Sequence, residues 1–232
     1  MSEEPEMKIV VMTHGPYRVT GNVPLAIQTI TPNPSGESWD WTEGRKFEGG
    51  AEYFLCRCGQ SKNKPFCDNS HLAVGFVGEE TASRRPLERQ SVHFDGPKLL
   101  LSDAEQYCAF ARFCDPGGKI WSLIERTDRP EVRDLVIREA NHCPAGRLVL
   151  HSKETGEAVE QPLPPSLGLV EDLALRCSGP LWVRGGLRIE SQDGKAYEAR
   201  NRVTLCRCGA SDNMPFCNGS HASIKFRDGL TR

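Results

Sequence analysis

The sequence predicts an α+β protein in which two small β-rich modules flank a middle domain that carries the longest helix. Three observations predict it. The stretch LCRCGQSKNKPFCDNSH at 55–71 recurs without a gap as LCRCGASDNMPFCNGSH at 205–221, so one unit is present twice. Around both copies, apolar residues alternate in short runs broken by Gly and Pro, as strands and turns do. Between them, Val132, Leu135, Val136 and Ala140 follow a helical period. The implied organisation is a first module at 1–77, a linker at 78–91, a middle domain at 92–165 and a second module at 166–232.

The first module opens on a strand around Tyr17-Arg18-Val19, within GPYRVTGNVPL (15–25), which echoes GPLWVRGGLRI (179–189) at an offset of 164. The long repeats lie 150 residues apart. The first module therefore holds a surplus of 14 residues, which falls in ITPNPSGESWDW and predicts a loop. Helix in each module is confined to a short turn after the third repeated cysteine. GEETASRRPLERQS (78–91) is polar and aperiodic, a linker composition. In the middle domain, Ser102-Asp103-Ala104-Glu105 has the capping-box pattern and predicts a helix through QYCAFARFC, and Pro130 starts a second helix over PEVRDLVIREANHC. GRLVLH predicts a strand, the Pro-rich EQPLPPSLG returns the chain to the second module, and Leu187-Arg188-Ile189 predicts a strand there.

The chain has 232 residues with 29 Lys+Arg against 31 Asp+Glu, a formal charge of -2, which argues against binding nucleic acid or an anionic membrane by bulk charge. Only 38% of residues are hydrophobic, with Gly 22 and Pro 16, and mean hydropathy is -0.47. Such modules bury little and need staples, which the ten cysteines supply. The start MSEEPEMKIVVM is acidic where a signal or transit peptide is basic, and no apolar run approaches a membrane span, so the expectation is a soluble, cytoplasmic protein. In that reducing compartment, closely spaced cysteines are metal ligands or redox groups rather than disulfides.

The repeat carries C-x-C-x8-C-x3-H: Cys56, Cys58, Cys67 and His71, then Cys206, Cys208, Cys217 and His221. Three thiolates and an imidazole suit zinc or an iron-sulfur cluster, and the spacing leaves the choice open, although C-x-C is less usual in zinc knuckles than C-x2-C. A neutral imidazole in place of a thiolate raises the reduction potential and makes ligation sensitive to acid.

These residues resemble the CDGSH iron-sulfur family of the mitoNEET type, whose pattern is C-x-C-x2-[ST]-x3-P-x-C-D-G-[ST]-H. Ser61, Pro65, Ser211 and Pro215 fit it, while Asn69 replaces the motif glycine in one copy and Asn218 the motif aspartate in the other. Asn is the non-glycine residue that best accepts positive φ, and Asn218 keeps a capping oxygen without the charge. The resemblance implies a [2Fe-2S] cluster on each Cys3His set, two clusters in all, with the His on an exposed outer iron. It also implies a pseudo-dimer within one monomeric chain, strands near 16–25 and 180–190 completing a shared β-region. Loss of the charge at Asn218 favours the higher potential in the second module, while Lys62 and Lys64 against Asp212 and Met214 push the other way.

Cys108, Cys114 and Cys143 lie outside the repeat. Their C-x5-C and distant Cys-Pro resemble a divergent single-cluster ferredoxin in which Ala111 stands where the middle ligand of C-x2-C-x2-C would be. That resemblance implies a ferredoxin-like middle domain and a third cluster, [3Fe-4S] or [4Fe-4S]; a metal-free shell and zinc are the alternatives. Cys177 is expected to be a structural or spare thiol and His142 a surface residue or one just outside the ligand set, Trp39, Trp41, Trp121 and Trp182 are expected to be packing residues, and Arg57 and Arg207 either offset cluster charge or are solvated. No nucleophile elbow, phosphate loop or dinucleotide fingerprint occurs, so the expectation is an electron carrier, not an enzyme. The alternatives are storage and delivery of labile [2Fe-2S] clusters, or a zinc-stapled interaction module. The partner would be a redox protein or an apo iron-sulfur acceptor.

Overall fold

The computed structural model describes residues 6–231. The first module supplies β1 (Lys8–Val11), β2 (Tyr17–Thr20), β3 (Leu25–Pro32), β4 (Ser38–Phe47) and β5 (Glu52–Leu55), then the one-turn α1 (Ser70–Ala73). The middle region supplies β6 (Val92–Asp95), β7 (Leu99–Asp103), α2 (Ile120–Leu123), α3 (Pro130–His142) and β8 (Leu148–Ser152). The second module supplies β9 (Ser166–Asp172), β10 (Cys177–Arg184), β11 (Arg188–Ser191), β12 (Arg202–Leu205) and α4 (Ser220–Ser223). The fold is α+β, with three sheets in the orders β11-β1-β2-β5, β12-β10-β9-β3-β4 and β6-β7-β8.

The first two sheets are mixed between modules. β11 lies parallel to β1 with Ile9 opposite Ile189, and β3 lies parallel to β9 with Ile27 opposite Leu169, so the second module lends β11 to the first module's sheet and the first lends β3 with its partner β4 to the second's. Parallel pairing demands apolar residues on both faces, and β9 is buried along its whole length. One core results, in which Ile9, Tyr17 and Leu55 pack with Leu167, Leu181 and Leu205. Each such aliphatic contributes roughly 1.5–3 kcal/mol by leaving water.

The 14-residue surplus is a strand rather than a loop. β4 pairs antiparallel with β3 around the turn at 33–37, closed by Asn33 Oδ1, which accepts from the Ser35 and Glu37 amides at 2.9 Å. The strand is largely exposed and polar at the sheet edge, which is why its sequence lacks an alternating apolar signal.

In the middle region the expected helix at QYCAFARFC is absent. Ser102 and Asp103 end β7, paired on both sides, and only a 3-10 turn at Glu105–Tyr107 follows. Sheet pairing overrides the capping pattern: Ser102 Oγ donates to Glu88, and the Asp103 carboxylate is held by buried Arg147 at 2.6 and 2.5 Å. The Pro130 helix forms as expected, with Pro in its first turn, and it ends before Pro144, which cannot continue it. Arg202 of β12 satisfies its last carbonyls, donating to those of Ala140 and Cys143. Gly146 is obligatory at this joint, since φ is +57° and a Cβ would lie 2.3 Å from the Arg202 carbonyl. The segment 78–91 is packed rather than loose: Thr81 and Ala82 amides donate to the Met214 carbonyl at 2.9 Å, and Leu87 enters the main core. Among the described residues, no helix is long and apolar enough to cross a membrane.

Candidate metal centres

Each repeat begins where a strand ends, β5 before Cys56 and β12 before Cys206. The hydrogen bonds that shape the two loops are the same. The Cys56 amide donates to the Pro65 carbonyl at 2.9 Å and the Cys206 amide to that of Pro215 at 2.8 Å. Ser61 Oγ and Ser211 Oγ each donate to the following Phe carbonyl at 2.6 Å, and each accepts from an Asn amide two residues on. The motif serine and proline are thus loop-shaping residues. Asn69 has φ +68° where Gly219 has +87°, so asparagine does occupy the left-handed position. Asp68 and Asn218 each accept from the amide of the serine two residues on, at 3.0 and 3.2 Å.

The donors come in pairs. Cys56 and Cys58 sulfurs are 3.8 Å apart and Cys67 Sγ is 3.5 Å from His71 Nδ1; in the second repeat the distances are 3.6 Å for Cys206 and Cys208 and 3.4 Å for Cys217 and His221. Among the described residues, no three His, Cys, Asp or Glu side chains gather about one metal position. A single zinc would draw all four donors to about 3.8 Å from one another, the edge of a tetrahedron with 2.3 Å bonds. Two pairs suit two metal atoms with two protein ligands each, the ligand count of a [2Fe-2S] centre. Within each C-x-C pair the two thiols share a hydrogen bond, which holds Cys56 and Cys206 down to about 6 and, with burial, pushes Cys58 and Cys208 up.

The second half of each site differs. Cys67 and His71 are half-buried, Asp68 and Asn69 are exposed, and the chain beyond presents Leu72 and Val77 at 74% and 73% exposure. Cys217 and His221 are 3% and 4% exposed. Burial pushes the Cys217 thiol well up and, with the nearby Arg207 charge, holds His221 down to about 4. The expectation of an exposed histidine in both modules therefore fails at His221. The cover comes from the middle region: Cys217 packs in its core, and a Cβ on Gly219 would lie 3.1 Å from the Cys108 carbonyl and 3.4 Å from Phe110 Cβ.

Cys108, Cys114 and Cys143 line one small cavity with Ala111, Pro144 and Arg147 around them. Phe110 and Arg112 take φ of +53° and +60° between the first two cysteines. Burial pushes the Cys114 thiol up, and the neighbouring Cys143, Asp115 and Cys108 add to it.

Arg57 and Arg207 are not solvated. Arg57 is 1% exposed and donates to the Gly15 and Met12 carbonyls at 2.7 and 2.8 Å. Arg207 donates to the Gly179 and Val170 carbonyls at 2.8 Å and pairs with Glu171 and Asp228. Gly15 and Gly179 head the echoing GPYRV and GPLWV, which explains the echo: each is the anchor for the arginine inside its own C-x-C. Sequence reasoning missed Tyr17, whose hydroxyl donates to the Cys206 carbonyl at 2.6 Å and reaches that of Pro215 at 3.1 Å, across to the other module. The echoing position holds Leu181, so the only signal was the mismatch itself. Cys177 is buried at the start of β10, and Trp41 stacks on Trp182 and Phe113 at 4.6 and 4.8 Å, both as packing residues. His142 sits half-buried with Nδ1 2.9 Å from the Arg138 carbonyl.

Comparison with curated proteins and with solved structures gives no match. A family model described as iron-binding zinc finger, CDGSH type, matches residues 14–72 and 178–222, the two stretches that contain the paired donors. The chain therefore matches the CDGSH-type family model twice in tandem, each match containing one set of paired donors, with a middle region of different sequence between them.

Proposed function

We propose that Cys56, Cys58, Cys67 and His71 hold one [2Fe-2S] centre, that Cys206, Cys208, Cys217 and His221 hold a second, and that the protein is an electron carrier. The arrangement of donors as two pairs carries this reading. When bound, such a centre takes up and gives back one electron at a time. The close packing of the two ligand loops supports passage of an electron between them: a Cβ on Gly59 would lie 2.6 Å from the Cys208 carbonyl, and one on Gly209 2.5 Å from that of Cys58. Cys108, Cys114 and Cys143 extend the relay, since the Cys108 carbonyl touches the second ligand loop and three thiolates around one cavity suit a [3Fe-4S] or incompletely ligated [4Fe-4S] cluster. Because the shared sheets are completed within one chain, a monomer suffices, with a redox protein as partner.

Iron, acid-labile sulfide and zinc per chain, measured with the visible spectrum on anaerobically purified protein, test this. About four irons with matching sulfide support two centres, and about seven or eight add the middle site. Zinc without sulfide overturns the reading. A second reading, delivery of a labile [2Fe-2S] unit to an apo acceptor, is favoured by one observation: the half-open Cys67 and His71.

A further inference from the structure

We propose that the two CDGSH sites divide the work: the 56–71 site exchanges its cluster with incoming thiols, while the 206–221 site retains its own beneath a roof formed by residues 108–112 and clasped by Arg112. This rests on the two-iron reading above and adds a division that the repeat itself does not contain, since both sites share one ligand set and one loop scaffold.

Ligand exchange requires an incoming donor to reach iron as the protein's own donor leaves. At the first site the leaving pair is half-buried and the residues around it, Asp68, Asn69 and Leu72, face solvent. At the second, the same pair is nearly sealed. Its roof is fixed in a conformation that non-glycine residues seldom adopt, with Phe110 and Arg112 both at positive φ. Such a conformation persists only where surrounding contacts hold it. Those contacts are on Arg112, which donates to Asp172 at 2.7 and 3.3 Å, Asp172 being 4% exposed at the end of β9. Local opening is governed by the contacts that must break, so removing this clasp should admit ligands to the second site alone. In a full exchange, four incoming thiols release four protons, the three departing thiolates take up three, and the imidazole leaves neutral. One proton passes to water, and iron and sulfide keep their oxidation states.

The full chain, reconstituted with iron and sulfide and then mixed in its oxidised state with excess EDTA, which takes ferric iron without a reductant, reports this as bleaching of the visible absorbance. The expected result is two phases of equal amplitude with rates differing on the order of tenfold or more. Cys56→Ser should remove the fast phase and Cys206→Ser the slow one; any absorbance from the middle cysteines persists in both variants and is subtracted. Arg112→Ala should speed the slow phase and leave the fast one alone, with Arg112→Lys recovering part of the protection. A single rate in the native protein, or a fast phase that survives Cys56→Ser, overturns the division of labour even if Arg112→Ala fails to fold. A colourless preparation without sulfide overturns the two-iron reading together with it.

Discussion

The first and second CDGSH domains share the hydrogen bonds that shape their ligand loops and differ in what presses on them from outside. Arg57 sits among backbone carbonyls and aromatic rings, whereas Arg207 adds two buried carboxylates to the same carbonyl anchor. Cys67 and His71 lie beside the exposed Asp68, Asn69 and Leu72, and Cys217 and His221 lie under the middle region. A motif therefore fixes donor geometry, while access to those donors is set by chain far away in sequence.

The largest effect that would sharpen the comparison is at the arginines. Arg207→Ala leaves Glu171 and Asp228 buried without their cation and should cost about 3–5 kcal/mol. Arg57→Ala strands only carbonyls and should cost about 1–3 kcal/mol. Urea midpoints of the two variants decide it, and equal costs would break the distinction.

Next is the cover itself. Glu139 of α3 is 2% exposed, both its oxygens lack a partner, and burial pushes it up to about 9 from an ordinary 4.5. Between those values the folded chain binds one proton more than the unfolded chain, so stability falls as pH rises through that window. Glu139→Gln should therefore gain stability over the native protein between pH 5 and pH 8, by up to a few kcal/mol. An unchanged difference between urea midpoints at those two pH values would count against it.

Tyr17→Phe removes a hydroxyl that reaches from the first module into the second ligand loop. It should lower stability by about 1 kcal/mol and speed iron loss at the second site only, measured by chelation.

The smallest effect concerns potentials. The loss of charge at Asn218 argues that the second site has the higher potential, but Asp68 is fully exposed, where water screens it. Lys64 Nζ, by contrast, is fixed on the Gly59 and Ser61 carbonyls at 2.8 Å beside Cys56, and burial of the second site disfavours its more negative reduced form. A potentiometric titration should resolve two steps with the higher at 56–71, and Lys64→Met, which copies Met214, should narrow the gap by roughly a few tens of millivolts.

The ligand spacing, the one-turn helices after it, the Pro130 helix and the GRLVLH strand were legible because each is decided by residues close in sequence. The rest depended on remote partners. β1 and β11 pair across some 180 residues, and nothing local marks which strand will adopt which neighbour. β4 is an exposed edge whose polar residues read as loop, and Ser102 carries a helix signal that two flanking strands override. The unequal burial of His71 and His221 was illegible for the same reason, since the motif is common and the roof belongs to neither copy.

The exchange of β11 against the β3–β4 pair between sheets has a consequence for how the chain comes apart. Neither CDGSH domain owns a complete sheet, so neither can melt and leave the other intact, and the pair should unfold as one cooperative unit. Because both partners sit on one polypeptide, that cooperativity should not weaken on dilution, and each copy remains free to drift in sequence without disturbing a symmetry that two identical subunits would have to keep.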